Sequence, residues 1–467
     1  MGQFNNGLRY STRDGEILRV GIVGCGHVGL VTASCLASIG HQVVCADKNV
    51  EIIQTLRAGR IPIYEPHLEE IVTRCRLEGR LTFTNDTAEA VRVAEAIFLC
   101  ISVPQSDSGD VDLASLESAA RLIATESDSP KLVIERSTMP VQTGERLQQM
   151  LAVYGRTEEF SFSVAANPQF LREGTAVEDF FHPDRILLGV GDSESERQLR
   201  EIYGPILESN SPCPMHSGGC PHPEPPQILI TSVQSAELIK HVSNAFLAMK
   251  ISYANTIADL CEKLGGDIEE VTRAMGCDPR IGPRFLEAGL GFGGFRLPRD
   301  LRALGQLAER LGIASSLFRE IERVNTQRIE RLFEKMRQAL WVIKNKRIGI
   351  LGLSFKAKTD DIRSSPAIGI LQRLMSEGAE VRAYDPEAMD GTRAIHPRIS
   401  LGASPYEVVL GADALVIATA WDEFRQLDWG RIRDAMARPL VFDGRNLLDA
   451  AEMSALGFEY HCLGRGR

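Results

Sequence analysis

A chain of 467 residues with a formal charge of −10 at pH 7 is long enough for several domains, each able to bury its own core. Its lysines and arginines are scattered rather than gathered in a stripe, which argues against a nucleic-acid partner. No run approaches the roughly 18 consecutive apolar residues of a membrane span, and the opening MGQFNNGLRYSTRDGE has no hydrophobic signal core, so a cytoplasmic protein without membrane contact is expected.

Residues 1–18 read as a flexible leader; Asn6 stands where a myristoylation signal needs serine or threonine. From residue 19, short apolar runs alternate with amphipathic stretches, the pattern of a parallel sheet covered by helices. RVGIVGC, QVVCAD, LTFTND, AIFLCIS, KLVIERS, FSFSVAANP and RILLGV are the predicted strands of a first domain, residues 19–231. Within it, the proline-rich segment 211–226 reads as an inserted loop. Between 232 and 343 the strand signal gives way to helical periodicity, predicting a helical middle built on one long helix. The alternation returns over 344–467 with KRIGILGL, EVRAYDP, ALVIATA and PLVFDGR. The expected class is α/β, with two Rossmann-like doubly wound domains joined by a long central helix.

The first predicted strand runs into GIVGCGHVGLVTASCLASIG, which places Gly24, Gly26 and Gly29 in GxGxxG spacing ahead of a helix. These glycines permit a tight turn, close approach of a pyrophosphate and close helix packing, while the helix N-terminus offers N–H groups to phosphate. Asp47 ends the next strand, at the roughly 20-residue distance where a carboxylate meets a ribose 2′-hydroxyl. A carboxylate there repels a 2′-phosphate, so NAD is expected over NADP, with Lys48 as a neighbouring counterweight. GILGLSF in the last domain holds only the first part of such a fingerprint.

Of the 10 cysteines, Cys25, Cys35, Cys45 and Cys100 lie in apolar runs, where small buried thiols are common. Cys213, His216, Cys220 and His222 have zinc-binding donor types, but the spacing matches no finger and the composition reads as an exposed loop. No metal is expected. Lys240 and Asn244 are four apart in SAELIKHVSNAFLAMK and share a helix face. That face is either solvated or, given the apolar neighbours, buried, where a lysine needs a partner or a purpose. Burial lowers a lysine's pKa and suits it to accept a proton.

Ordered blocks from residue 19 to the C-terminus include PIYEPHLEEIV, ERSTMPV, NPQFLREGTAVEDFFHPDRI, DPRIGPRFLEAGLGFGG, GLSFKAKTDDIRSSPAI and FDGRN. In them the chain resembles the UDP-glucose and GDP-mannose dehydrogenase family. That resemblance implies an NAD domain, a central helix that mediates dimerisation and a C-terminal domain for the nucleotide sugar. It implies that Thr138 and Asp300 hold and activate a water, that Lys240 and Asn244 stabilise oxyanion charge, and that Glu173 lines the site. Lys356 and Arg445 match basic residues near the nucleotide sugar, and Arg280 falls in the substrate loop. Phe285, Leu286, Gly289 and Gly293 fall in the segment that wraps the substrate.

Two positions depart from the family pattern. GFGGFRLPRD at 291–300 carries Arg296 where the family carries its cysteine nucleophile, and NPQFL carries Gln169 where the family has a glutamate. A guanidinium cannot be a nucleophile, nor a carboxamide a general base. Neither Cys277 nor Cys261 is expected at the reacting carbon. What remains is two-electron hydride transfer on a nucleotide sugar, most simply a UDP-sugar, with no thioester. Two alternatives stand beside it. Arg296 gripping a carboxylate would suit an epimerase or decarboxylase of a nucleotide-linked uronic acid, and a silent ligand-binding protein needs no reaction at all.

Overall fold

The computed structural model describes residues 17–101, 113–155, 161–207, 215–216 and 224–465. Residues 1–16 of the predicted leader, and Cys213, Cys220 and His222 of the inserted loop, lie outside these. The chain divides into two compact units, one ending at Lys240 and the other beginning at His241.

The first unit holds eight strands: β1 Arg19–Val23, β2 Gln42–Ala46, β3 Leu81–Thr84, β4 Ala96–Leu99, β5 Lys131–Glu135, β6 Phe162–Ala166, β7 Arg185–Gly189 and β8 Gln227–Thr231. They are ordered β3-β2-β1-β4-β5-β6-β7-β8. Pairing is parallel except at β6 and β7, which meet antiparallel through Ala166 and Gly189. The central strands are apolar on both faces because each faces a different core. Phe98 joins Ile22 and Ile134 on one side, while Ile97 and Leu99 join Val133 on the other.

The second unit repeats the scheme with β9 Arg347–Leu351, β10 Glu380–Tyr384, β11 Ser400–Leu401, β12 Ala414–Ile417, β13 Leu440–Asp443 and β14 Glu459–Cys462. Its order is β11-β10-β9-β12-β13-β14, the doubly wound arrangement in which the strand order reverses beside the first strand. Alternation again serves two cores, with Ile350 and Val416 in one and Leu415 and Ile417 in the other.

Every strand expected from the sequence is present. Three further ones were not expected from the sequence, although the first of them reads QILIT. β8 is an edge strand with no buried residue, β11 has two residues, and β14 reads EYHC, too polar to stand out. The long helix Val233–Leu264 has 32 residues. After it come the helices Ile268–Gly276, Arg296–Arg310 and Ser316–Leu340, with no strand among them.

Candidate active site

The three fingerprint glycines each have a separate reason to be glycine. Gly24 has φ +107°, and a Cβ there would lie 2.5 Å from the Cys100 carbonyl oxygen. At Gly29 a Cβ would fall 1.8 Å from the Gly24 carbonyl oxygen, so the helix His27–Ser38 could not pack so closely. A Cβ on Gly26 meets nothing within 4 Å, the open position that a pyrophosphate approaching the helix N-terminus needs. Asp47, half-buried just past β2, accepts the Cys25 N–H at 2.7 Å and the Asn49 N–H at 2.9 Å. Two donors leave a carboxylate capacity for a ribose hydroxyl. These residues fit NAD, and Lys48 is exposed.

Glu65, which sequence reasoning passed over, braces this loop. It is buried, accepts the Gly174 and Ala176 N–H groups at 2.8 and 2.7 Å, and meets His27 Nε2 at 2.9 Å. One carboxylate thereby joins the fingerprint helix to the turn that carries Glu173, itself 7% exposed. Gln169 is also buried, and its side-chain oxygen accepts the Leu171 N–H at 2.7 Å. A carboxamide serves that bond as well as a carboxylate would, so the turn keeps its shape.

In the same unit, Thr138 and Lys240 line one small cavity together with Glu135, Ser137 and Glu237. Lys240 is 3% exposed, which decides for the buried reading of its helix face, and its ammonium lies 4.9 Å from the Phe170 ring centre, a cation–π distance.

The second unit brings Asn244 and Asp300 together. Asn244 Nδ2 donates to Asp300 Oδ2 at 2.6 Å, and Asp300 is fully buried. Arg299 donates to Asp300 Oδ1 through two nitrogens at 2.9 and 2.8 Å, and His241 Nδ1 lies 3.8 Å from the same oxygen. Neither Arg299 nor His241 was singled out from the sequence. Arg296 is half-buried and begins the helix Arg296–Arg310. Phe295 before it lies between the guanidinium groups of Arg299 and Arg363, at 4.6 and 4.8 Å.

The loop ahead of that helix is held by side chains far away in sequence. Asn325 accepts the Phe292 N–H at 2.7 Å and donates to the Phe292 carbonyl at 3.0 Å. Buried Arg328 donates to the Gly289 carbonyl at 3.1 Å and to Asp259 at 2.6 Å. Gly289 and Gly293 have packing reasons of their own, since a Cβ would lie 2.7 Å from the Gly444 oxygen and 2.4 Å from the Ser364 oxygen. Leu286 is buried, and Phe285 stands at φ +64°, a strained conformation for an aromatic residue.

Arg445, expected near the nucleotide sugar, is engaged by backbone carbonyls of its own unit. Its guanidinium donates to the carbonyls of Ala418, Gly291 and Phe355 at 2.8, 3.2 and 3.2 Å, so it ties loops together. Burial pulls its pKa down to about 10, still charged at neutral pH. Lys356, next in the chain after Phe355, is half-buried. Arg280 is exposed and paired with Asp278 at 2.6 Å.

The cysteines are poor nucleophiles where they are buried. Desolvation pushes the Cys100 thiol up to about 12 and the Cys462 thiol up to about 11. Cys261 is buried and Cys277 exposed. Among the described residues, no group of three or more histidine, cysteine or acidic side chains could hold a metal, and no helix is long and apolar enough to cross a membrane.

A phosphate-binding turn with an acidic ribose partner on one doubly wound sheet, and a buried Asn–Asp pair in the second unit, define a dinucleotide-dependent oxidoreductase architecture. The chain belongs to the UDP-glucose/GDP-mannose dehydrogenase family, matching its NAD-binding domain over residues 18–207, its central domain over 234–327 and its UDP-binding domain over 349–450. It is an NAD-dependent dehydrogenase of that nucleotide-sugar family. It is 40% identical to the UDP-glucose 6-dehydrogenase of Pseudomonas aeruginosa, over 96% of this chain and 98% of the relative. It is 39% identical to the UDP-glucose 6-dehydrogenase of Rhizobium meliloti, over 96% of this chain and all of the relative. Among solved structures, the UDP-glucose dehydrogenase of Pyrobaculum islandicum is similar with a TM-score of 0.85 at 34% identity, covering 97% of this chain and 98% of that one.

Proposed function

We propose that the protein transfers a hydride between a UDP-sugar and NAD in a single two-electron step, without a cysteine thioester. The observation that carries this reading is Arg296 at the head of the helix Arg296–Arg310, in the loop where the family resemblance calls for the nucleophile. Bound NAD supplies the hydride acceptor. Lys240, buried beside Thr138, takes the proton from the reacting hydroxyl. The Asn244 amide, held by Asp300, donates to the oxygen as charge develops on it.

Arg296 favours one second reading. It and Arg299 occupy the first turn of a helix with no acidic residue before Asp300, where cations oppose the helix dipole. A guanidinium at that position can give a substrate carboxylate two parallel hydrogen bonds. The substrate is then a nucleotide-linked uronic acid whose secondary hydroxyl is oxidised, leading to epimerisation or decarboxylation.

The protein is proposed to act as a homodimer in the cytoplasm. Leu238, Val242, Phe246, Tyr253, Leu260 and Leu264 are exposed along the central helix, an apolar row suited to a second copy. The described cysteines are all free thiols, as a reducing compartment requires.

Purified protein given NAD and a panel of UDP- and GDP-sugars, uronates included, tests these readings. NADH with an aldehyde or ketone product supports simple oxidation, and an altered uronate without net NADH supports the second. Binding without conversion across the panel defeats both and leaves a silent binder. Arg296→Cys with Gln169→Glu should move a UDP-glucose binder toward acid formation; unchanged products with retained binding count against the assignment of these two positions.

A further inference from the structure

Two buried glutamates stand next to Lys240, and neither figures in the chemistry above. Glu135 ends β5 and is 2% exposed; Glu237 is 4% exposed on the central helix, three residues before Lys240 and so on the same face. Both glutamates line the small cavity that Thr138 and Lys240 line. They converge over Gly144, where a Cβ would lie 3.4 Å from Glu237 Oε1 and 3.5 Å from Glu135 Oε2.

Their surroundings are unequal. Glu237 accepts the Gln142 N–H at 2.6 Å and the Gly144 N–H at 2.7 Å, at the start of the helix Thr143–Tyr154. Backbone donors and a helix N-terminus both favour a carboxylate. Neither oxygen of Glu135 receives an N–H or O–H donor from the protein. Two carboxyl groups cannot hydrogen-bond unless one keeps a proton, and a second negative charge beside the first in a dry interior is disfavoured. Burial, and then Glu237, hold the Glu135 carboxyl well above the usual range. Burial also raises Glu237, against the pull of its backbone donors.

Arg185 shares the Phe170 ring with Lys240, its guanidinium 4.1 Å from the ring centre, while two other charged groups on the packed elements have partners elsewhere. Arg136, next along from β5, donates to Asn167 at 2.8 Å. Glu145, on the helix Thr143–Tyr154, takes the Gln234 amide at 3.2 Å. Lys240 is the cation that shares the cavity.

We propose that Glu135 and Glu237 hold one proton between them and form a positioning pair for Lys240, presenting the ammonium with a single negative charge. The proposal rests on the reading of Lys240 as the group that carries the reaction's proton. Glu237 supplies the charge, which raises the basicity of the amine that shares its cavity. Glu135 supplies the proton that keeps that charge at one, and the hydrogen bond that keeps the Glu237 carboxylate on the Gln142–Gly144 turn.

The test needs no turnover, so a protein inactive on every sugar leaves it intact. Infrared difference spectra of protein labelled with carbon-13 glutamate should show a protonated carboxyl at pH 7.5 that is lost in Glu135→Gln. Titration of carbon-13 lysine by NMR, with the Lys240 signal assigned through Lys240→Arg, gives the amine's midpoint. Glu135→Gln retains an N–H donor to Glu237 and should leave that midpoint within about twofold in basicity. Glu135→Gln with Glu237→Gln removes the charge and should lower it by half a pH unit or more, about threefold. An infrared band unchanged in Glu135→Gln, or a smaller shift in the double variant, overturns the proposal. Should the double variant not fold, the infrared result on the single variant decides alone.

Discussion

At the reversal point of the first sheet, Asp47 follows β2 and takes the Cys25 amide; at that of the second, Asp385 follows β10 and takes the Leu353 and Ser354 amides. The two aspartates occupy equivalent places in the same topology, yet their surroundings differ. Asp47 is half-buried with two backbone donors. Asp385 is fully buried and also takes the Ser354 hydroxyl, the Trp421 indole N–H, and the Glu387 and Ala388 amides. The first carboxylate keeps acceptor capacity for a ligand, whereas the second is spent on its own loop. The turn glycines differ in the same sense. Gly26 faces open space, but a Cβ on Gly352, at φ +96°, would lie 2.3 Å from Thr419. A doubly wound sheet therefore offers a binding place, and the residues after its second strand decide whether that place stays open.

The largest effect expected from this contrast is at Asp385. Asp385→Asn leaves buried N–H groups short of acceptors and should cost about 3 kcal/mol or more of the second unit's stability, measured by urea unfolding. A cost below about 1 kcal/mol would mean that this carboxylate is not the brace of its loop. Next come the two fingerprint alanines. Gly29→Ala should destabilise the first unit by about 2–3 kcal/mol, because the helix must back away from Gly24. Gly26→Ala should leave the melting temperature alone and weaken NAD binding roughly tenfold in calorimetry. Equal effects at the two positions would blur the distinction between packing and ligand glycines.

Asp47→Asn should change stability by less than about 1 kcal/mol, weaken NAD roughly tenfold and improve NADP relative to NAD. A loss of folding comparable with Asp385→Asn would erase the contrast altogether. The smallest effect is a pH dependence. His41 accepts the Leu18 N–H through Nδ1 at 3.3 Å and donates from Nε2 to the Ile202 carbonyl at 2.9 Å, a pattern only the neutral ring can make. Burial lowers its pKa from 6.5, so the unfolded chain takes up the proton first. Stability is full above pH 6.5 and falls below it by at most about 1.4 kcal/mol per pH unit. The same slope in His41→Gln would refute this.

Much of the first site was legible because its logic is local. Gly24, Gly26, Gly29 and Asp47 lie within one strand–helix–strand passage, and each answers to a steric or electrostatic need that spacing reveals. Lys240 and Asn244 were legible as neighbours on a helix, but not as buried ones, since a lysine in an apolar stretch reads equally well as a solvated face. The braces were illegible for a different reason. Glu65 works on Gly174, Arg328 on Gly289 and Asn325 on Phe292, each across a sequence distance that periodicity cannot bridge. Nothing in IERSTMPV distinguishes Glu135, with its buried carboxyl, from the surface acids elsewhere in the chain. The strand β14 escaped because EYHC at a sheet edge needs no apolar alternation.

Glu65 receives the amides on either side of Thr175 with one carboxylate and meets a fingerprint histidine with the same group. The turn that carries Glu173 has its own anchor in Asp179, which accepts the Arg172 N–H at 2.6 Å, and Glu65 adds its tie to the loop that meets the phosphates. Any displacement of that loop, by cofactor arrival or departure, is transmitted to the Glu173 turn through a single shared side chain. Saturating the cofactor should therefore quiet hydrogen exchange at Gly174 and Ala176, although neither amide faces the nucleotide.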